Sequence, residues 1–486
     1  MLQISRDLFS LWNTQIRYCH WKSNEHLLEG LFGETDLDVL VPLEDREKGC
    51  AIMRQLGFIK CRTQYGSRYP NVEDWLGLDE SSGKYIHIHL HYQIVTGHKG
   101  LKEYSLPWSD RALASRVLDD QTGVYIAEPN LEIVTLFTRI GLKASLKTKL
   151  KVILNRFALP NDMVREIKYL HERIDPVLVY EIIKQYYVKQ PDVFFELMKK
   201  EKLTSSDMRT LIKLTEQNMK NAARYSKLSL FFRKNYYLIV LFLRDRLKKK
   251  RRYILLNKKS PEKGKGISIA VIGQDGSGKS TITSDIQKWL GWKMDTCRFY
   301  FGSGDHYNPW QKKVYKKLLG RKGKVGTAIR GLMKSWLLIK WSRYAKKKIK
   351  QANRYISKGG IAIFDRFPQN QFKGINDGPK IEMGLVPRVN NSVLKRILTG
   401  LAKREERRIK YILKYQPSVV FKLLLPVEES YKRKPHENYD NICKKHQIVN
   451  ALRFDNSKVY EIDATQDYQG EIICIKKAIW NHLQGL

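Results

Sequence analysis

The chain has 486 residues, with 89 Lys+Arg against 49 Asp+Glu (a formal charge of +40), and it is 42% hydrophobic and 28% charged. The length suggests about three domains of about 150 residues each, and the apolar fraction excludes an intrinsically disordered chain. The charge calls for an anionic partner: a nucleotide, a nucleic acid, a phosphorylated glycan or an acidic lipid. The longest wholly apolar run, Tyr236 to Leu243, is far shorter than the ~20 residues that span a bilayer. Residues Met1 to Asp7 lack the basic start and apolar stretch of a secretory signal. The expectation is a soluble cytoplasmic protein, in peripheral contact with the inner membrane face if an acidic lipid is the partner. The six cysteines are scattered without a CxxC pair, which excludes a zinc ribbon and a disulfide framework.

Residues 1–125 mix short β-rich runs (Ile16 to Cys19, Leu37 to Val41, Tyr85 to Tyr92) with helical stretches, as an α/β domain does. Asp36 and Asp38 stand two apart on a predicted strand. A period of two puts both carboxylates on one face, the arrangement that holds catalytic Mg²⁺ for nucleotidyl transfer. The pattern His20-Trp21-Lys22-Ser23 followed by Gly33-Glu34-Thr35-Asp36-Leu37-Asp38 resembles the nucleotidyltransferase superfamily. That resemblance implies Asp36 and Asp38 as metal ligands and a third acid on a later strand. Two departures stand out: Lys22-Ser23 lacks the family's glycine, and His89 stands roughly where the third acid belongs. Histidine is a poor ligand for Mg²⁺, a hard cation that prefers oxygen. His87, His89 and His91 alternate, which predicts a half-buried strand with its histidines toward solvent. A substrate-recognising domain is favoured over an active transferase.

Residues 126–257 show helical spacing throughout, for example Leu131, Val134, Ile140 and then Val179, Ile182, Ile183, with prolines at plausible turns (Pro160, Pro176, Pro191). This predicts a helical middle domain ending in the basic run Arg244 to Arg252. Residues 258–265 read as a linker.

Residues 266–486 alternate apolar strands (Ile267 to Ile272, Ile361 to Phe364, Val419 to Leu425, Val459 to Ile462) with helical patterns, the signature of a parallel sheet covered by helices. The segment Gly273-Gln274-Asp275-Gly276-Ser277-Gly278-Lys279-Ser280-Thr281 fits GxxxxGK[ST] between the first strand and a helix. Glycines let backbone N–H groups converge on phosphates, and a helix N-terminus adds positive charge. Lys279 is expected to reach the β- and γ-phosphates and Ser280 to ligate Mg²⁺. Asp365-Arg366 closes a buried strand, where an Asp can hold the metal shell or orient an acceptor and an Arg can clamp phosphate. Lys432-Arg433-Lys434, with Lys444 and Lys445 beyond, reads as a mobile basic segment that closes over the transferring group.

Four motifs in order (GQDGSGKST, FDRFP, VVFKLLLPVEESYKRKPHE and KVYEIDATQ) resemble the thymidylate kinase-like P-loop kinases over residues 266–486. The resemblance implies an ATP-dependent phosphotransferase with ATP and Mg²⁺ as cofactors. In it Asp275 faces the acceptor, Asp365 and Arg366 handle the acceptor phosphate, the segment after Arg433 is a lid, and Ile462 to Thr465 lie near the adenine. The continuation Pro368 to Pro379 departs from true thymidylate kinases, so the acceptor does not carry over. A nucleotide or a phosphorylated sugar or glycan, in surface polysaccharide metabolism, is the expected acceptor class. Residues 311–360 carry 17 Lys/Arg and no acid. With Trp336, Leu337, Leu338, Trp341 and Tyr344 they predict a basic amphipathic helix, read as a solvated face, a membrane surface or a polyanion site. The alternative function is a nucleic-acid-directed NTP-binding protein; no RRM, zinc-finger or helix-turn-helix signature supports it.

Overall fold

A computed structural model describes residues 1–63, 69–98, 100–249, 258–262, 265–302, 324–381 and 392–485. The chain divides into two compact units, Met1–Arg246 and Leu247–Leu486.

The first unit contains strands β1 (Cys19–His20), β2 (Asp36–Leu40), β3 (Ile59–Thr63), β4 (Val72–Leu78), β5 (Tyr85–His91), β6 (Val95–Thr96), β7 (Tyr104–Ser105), β8 (Val117–Asp119) and β9 (Val124–Ile126). Seven of them lie side by side in the order β3-β4-β5-β2-β1-β9-β8, while β6 and β7 form a separate hairpin. β2 and β5 are parallel, which sets Asp36 beside His87 and Asp38 beside His89. β4 is antiparallel to β5 on its other side and sets Asp74 opposite His89. Pleating sends Leu37, Val39, Ile86 and Ile88 into a core with Leu8, Phe9 and Trp12 of the helix Gln3–Gln15. The opposite face of β2 therefore carries both aspartates.

Helices Pro129–Leu142, Leu146–Ile153, Asn161–His171, Pro176–Tyr186, Pro191–Met198, Ser205–Asn218 and Lys227–Lys249 follow. Pro129, Pro176 and Pro191 each open a helix, where a missing N–H costs nothing. Every residue from Asn130 to Leu142 is buried. That central helix tolerates Thr135 and Thr138 because each hydroxyl donates to the carbonyl four residues back, at 2.8 and 2.7 Å. Around it Trp21, Trp108, Ile167, Ile182 and Phe194 complete the core. Each fully buried side chain of this size stabilises the fold by about 1.5–3 kcal/mol relative to exposure.

The second unit holds β10 (Lys259–Pro261), β11 (Ser268–Gly273), β12 (Thr296–Tyr300), β13 (Ile361–Asp365), β14 (Val419–Leu424) and β15 (Lys458–Asp463). The last five form a sheet in the order β12-β13-β11-β14-β15, every pair parallel. Helices Lys279–Leu290, Lys324–Ile356, Ser392–Leu413, Val427–Arg433, Tyr439–Ala451 and Tyr468–Gln484 accompany it. β11 and β13 are buried along their whole length, as strands covered on both faces must be.

Two expectations are corrected here. Residues 311–323 lie outside the described residues, but in the helix Lys324–Ile356 the residues Leu337, Trp341, Ala345, Ile349 and Ala352 are buried. Much of the apolar stripe read as open to solvent or membrane is therefore a packing face; Trp336 remains exposed. The stretch after Arg433, read as mobile, is a second helix, Tyr439–Ala451, capped by Asn438 and buried through Ile442, Ile448 and Val449.

Candidate active site

β11 delivers the chain into the loop Gly273 to Gly278, and the helix Lys279–Leu290 leaves it. Gly276 and Gly278 adopt φ of +86° and +82°, a left-handed backbone that disfavours any residue with a Cβ. At Gly273 the demand is steric: a Cβ would lie 2.5 Å from the Ser277 hydroxyl and 3.0 Å from the Leu423 carbonyl. Ser277 donates to the Gln274 carbonyl at 2.9 Å and Ser430 to the Asp275 carbonyl at 2.7 Å, so the loop is held from inside and outside. Thr281 lies in the first helical turn, its N–H bonded to the Gly278 carbonyl at 3.0 Å.

Lys279 is only 6% exposed and donates to the Gln274 carbonyl and, at 3.3 Å, to Ser277 Oγ. Burial, reinforced by the nearby Arg366 guanidinium, brings its ammonium down to about 8. Ser280 Oγ donates to Asp365 Oδ2 at 3.0 Å, and Arg298 on β12 donates to the same oxygen. Asp365 is wholly buried, and its Oδ1 has no hydrogen-bond partner among the described residues. A buried acceptor without a donor is costly unless a cation supplies the missing charge. The donor set of a hydroxyl and a carboxylate is all hard oxygen, which fits Mg²⁺.

Asp275, Arg366 and Lys445 meet in a cavity of about 250 Å³, lined also by Trp341, Asp377 and Glu405. Arg366 approaches Asp275 at 3.5 Å and takes φ of +69°, a strained conformation for a side chain of this size. Burial works to raise the Asp275 carboxyl, but Lys445, Lys279 and Arg366 outweigh it and hold the group below the usual carboxylate range. Glu405 accepts from the Lys380 and Ile381 amides at 3.0 and 2.9 Å, and burial raises its carboxyl above the ordinary value. Gln369 folds the divergent segment after FDRFP: its amide donates to the Phe372 and Ile375 carbonyls at 2.6 and 2.7 Å and accepts from two backbone N–H groups.

The structure thus brings together Gly273, Asp275, Lys279, Ser280, Asp365 and Arg366. Arg433 also touches the loop: it donates to the Gly276 carbonyl at 3.3 Å and to the Ala464 carbonyl at 3.2 Å. Arg298, Glu405 and Gln369 escaped the sequence reading. Only the buried Asp365, which demands a cationic partner, could have signalled Arg298.

In the first unit, Asp38 receives Lys22 at 2.6 Å, His89 at 3.3 Å and His91 at 3.1 Å. Asp36 bonds His87 at 2.7 Å, while Asp74 bonds His87 and His89, each at 3.1 Å. His87 and His91 are buried, which corrects the expectation of solvent-facing histidines: they pair with the acidic face of β2. A third carboxylate, Asp74, lies one strand further out than His89 and reaches this face through His87 and His89. Each of the triplets Asp36, His87, His89 and Asp38, His89, His91 offers ligand atoms within 4.8 Å of one another. Cations crowd the same place. Lys22 and Arg139 flank the Trp21 ring at 5.3 and 5.6 Å. Burial and Lys22 lower Lys102 to about 8, and Arg139, burial and Lys22 lower Lys143 well below its ordinary value.

Nearby, Glu132 accepts from Asn24 at 3.1 and 2.6 Å, and burial with the neighbouring Glu166 pushes its carboxyl up to about 8. A folded-state value above the unfolded one means that the fold gains protons between about pH 4.5 and 8. Stability from this group is therefore present at low pH and lost as pH rises toward 8. The melting temperature should fall between pH 6 and 9 by the equivalent of about 2–3 kcal/mol. Glu132→Gln should flatten that slope in calorimetric scans; an unchanged slope would place the titration elsewhere.

A buried parallel strand that hands a glycine-rich loop to a helix, beside a buried aspartate on the next strand, defines a P-loop α/β unit. No family model matches the chain. The chain is similar to the uncharacterized ATP-binding protein YghR of Escherichia coli (strain K12), 27% identical over 223 residues, 43% of this chain and 86% of YghR. It is also similar to the uncharacterized ATP-binding protein YghS of the same strain, 24% identical over 215 residues, 40% of this chain and 84% of YghS. Among solved structures, deoxyadenosine kinase from M. mycoides with bound dATP is 17% identical with a TM-score of 0.27, covering 44% of this chain and 98% of that one. That likeness is too loose to carry an inference.

Proposed function

We propose that the second unit is an ATP-dependent phosphotransferase whose acceptor is an anionic small molecule, a nucleotide or a phosphorylated sugar. The observation that carries this reading is the adjacency of the P-loop, with Ser280 on the buried Asp365, to a cavity where Arg366 and Lys445 face Asp275. The names of YghR and YghS as ATP-binding proteins support the nucleotide. Loop amides and Lys279 would hold the β- and γ-phosphates of ATP, and Ser280 with Asp365 would hold Mg²⁺, which would supply charge screening there. Arg366 and Lys445 hold the acceptor's own phosphate, and Asp275 orients its attacking oxygen. Trp341 and Asp377 also line the cavity and are available to read the rest of the acceptor. Purified protein screened with nucleoside monophosphates and sugar phosphates should release ADP in a Mg²⁺-dependent, acceptor-stimulated way. Absence of both ATP affinity in calorimetry and any stimulated ADP release sinks the reading.

Lys279 makes a sharper check. Near pH 8 its ammonium is about half deprotonated, and a polyphosphate favours the charged form. ATP binding at pH 8 should take up about half a proton, read from calorimetry in buffers of different ionisation enthalpy. Affinity should weaken as pH rises beyond 8.

For the first unit we propose a nucleotidyltransferase-like binding domain for a phosphorylated ligand, with Asp36 and Asp38 at its centre. Lys22, Lys102 and Lys143, each in electrostatic reach of Asp38, and Arg139 near Lys102 and Lys143 support this. Their mutual repulsion is what an anion relieves. His87 and His89 stand between the third carboxylate, Asp74, and the pair Asp36 and Asp38, and imidazole suits a hard cation poorly, which argues against a two-Mg²⁺ transferase.

A further inference from the structure

The helix Lys227–Lys249 turns its apolar side outward. At about 100° per residue, Leu228, Ile239, Phe232 and Leu243 fall along one line of the helix, with Tyr236 beside them. Phe231, Leu238 and Phe242 continue the surface on the other flank, and the whole arc is about 160° wide. These eight side chains are between 47% and 68% exposed. The inward side is the opposite one: Tyr237, Val240 and Leu241 are half-buried, and Lys234 Nζ lies 3.2 Å from His98 Nε2. Asn235 is the one polar residue within the arc before Arg246, and its amide donates to the Phe231 carbonyl at 3.0 Å. So large a continuous apolar surface is not left to water without a partner.

Charge identifies the partner. From Lys227 to Arg244 the sequence has no acid, and Arg244 to Arg252 contain seven Lys/Arg and one acid. Arg233 is exposed beside the arc. An apolar face bordered and followed by cations matches an acyl interior beneath anionic headgroups. The apolar stretch Leu228 to Leu243 rises about 24 Å, less than a hydrocarbon core of about 30 Å. No described helix of the protein is long and apolar enough to cross a membrane. We propose that the helix Lys227–Lys249 lies in the surface of an anionic lipid bilayer with Phe231, Phe232, Ile239 and Phe242 among the acyl chains. The proposal is independent of the phosphotransferase reading.

Flotation of the full chain with vesicles of phosphatidylcholine and phosphatidylglycerol tests it, against vesicles of phosphatidylcholine alone. The protein should float with the first and not the second, and the triple variant Phe231→Ser, Phe232→Ser, Phe242→Ser should bind at least about tenfold more weakly. Because these rings are exposed, the variant should keep its circular dichroism spectrum. Phe232→Trp serves as a second probe, whose emission should shift to the blue on adding anionic vesicles. Equal flotation of the triple variant, or an unshifted Phe232→Trp spectrum in bound protein, overturns the proposal. So does a stable dimer in light scattering that the triple variant converts to monomer, because a second copy then covers the face.

Discussion

Lys279→Met should abolish ATP turnover, by at least about a thousandfold, and yet raise the melting temperature. The two effects share one cause. Lys279 is 6% exposed and its ammonium is held at about 8 rather than its ordinary 10.5, so at pH 7 the fold carries a charge it would shed. A folded-state value below the unfolded one means that stability rises with pH between about 8 and 10.5, and methionine removes the penalty at every pH. Met also keeps the length and apolar stem of the side chain. The lost activity follows from an uncompensated γ-phosphate during transfer. Coupled ADP assays and thermal scans at pH 7 and pH 10 separate the two effects. A variant that is inactive and less stable at pH 7 would mean that Lys279 supports the loop rather than the phosphate.

Asp365→Asn should lower turnover about a hundred- to thousandfold and cost the fold about 1–3 kcal/mol. Its Oδ2 accepts from both Ser280 and Arg298, and the buried Oδ1 is the one oxygen left for a cation. Losing the carboxylate leaves the Arg298 guanidinium, 28% exposed, without its counter-charge. Solvent screening keeps that penalty at the lower end of the range for a broken buried pair. Adding Arg298→Met should therefore restore most of the stability and none of the activity. Denaturant melts and the ADP assay on the four members of this cycle check both statements. If Arg298→Met restores turnover, Asp365 serves only as its partner.

Local rules governed much of the architecture. The P-loop strand, its glycines and the helix start were readable because phosphate binding needs a fixed spacing within nine residues, Gly273 to Thr281. The pair Asp36 and Asp38 was readable because a strand has a period of two. The apolar strands around Ile269, Ile363 and Phe421 were readable because strands covered by helices on both faces are made of little else.

What lay beyond reach joins residues distant in sequence. Arg298 meets Asp365 only because β12 is placed beside β13, and Glu405 reaches the cavity of Asp275 and Arg366 from a position twenty-four residues beyond Ile381, whose amide donates to it. Asp74 faces the histidines because β4 folds back antiparallel on β5, and a carboxylate on an unrecognised strand looks like any surface acid. The same cause reversed the reading of the histidines. Alternation tells which residues share a face, but only the neighbouring strand decides whether that face meets water or two aspartates. Trp341 and Phe232 make the point from opposite sides. Both sit in basic helices rich in apolar residues; packing buries Trp341 in the second unit's core and leaves Phe232 exposed on the helix Lys227–Lys249. Composition alone carries no information about which helix finds a protein partner, since that depends on the surface the rest of the fold presents to it.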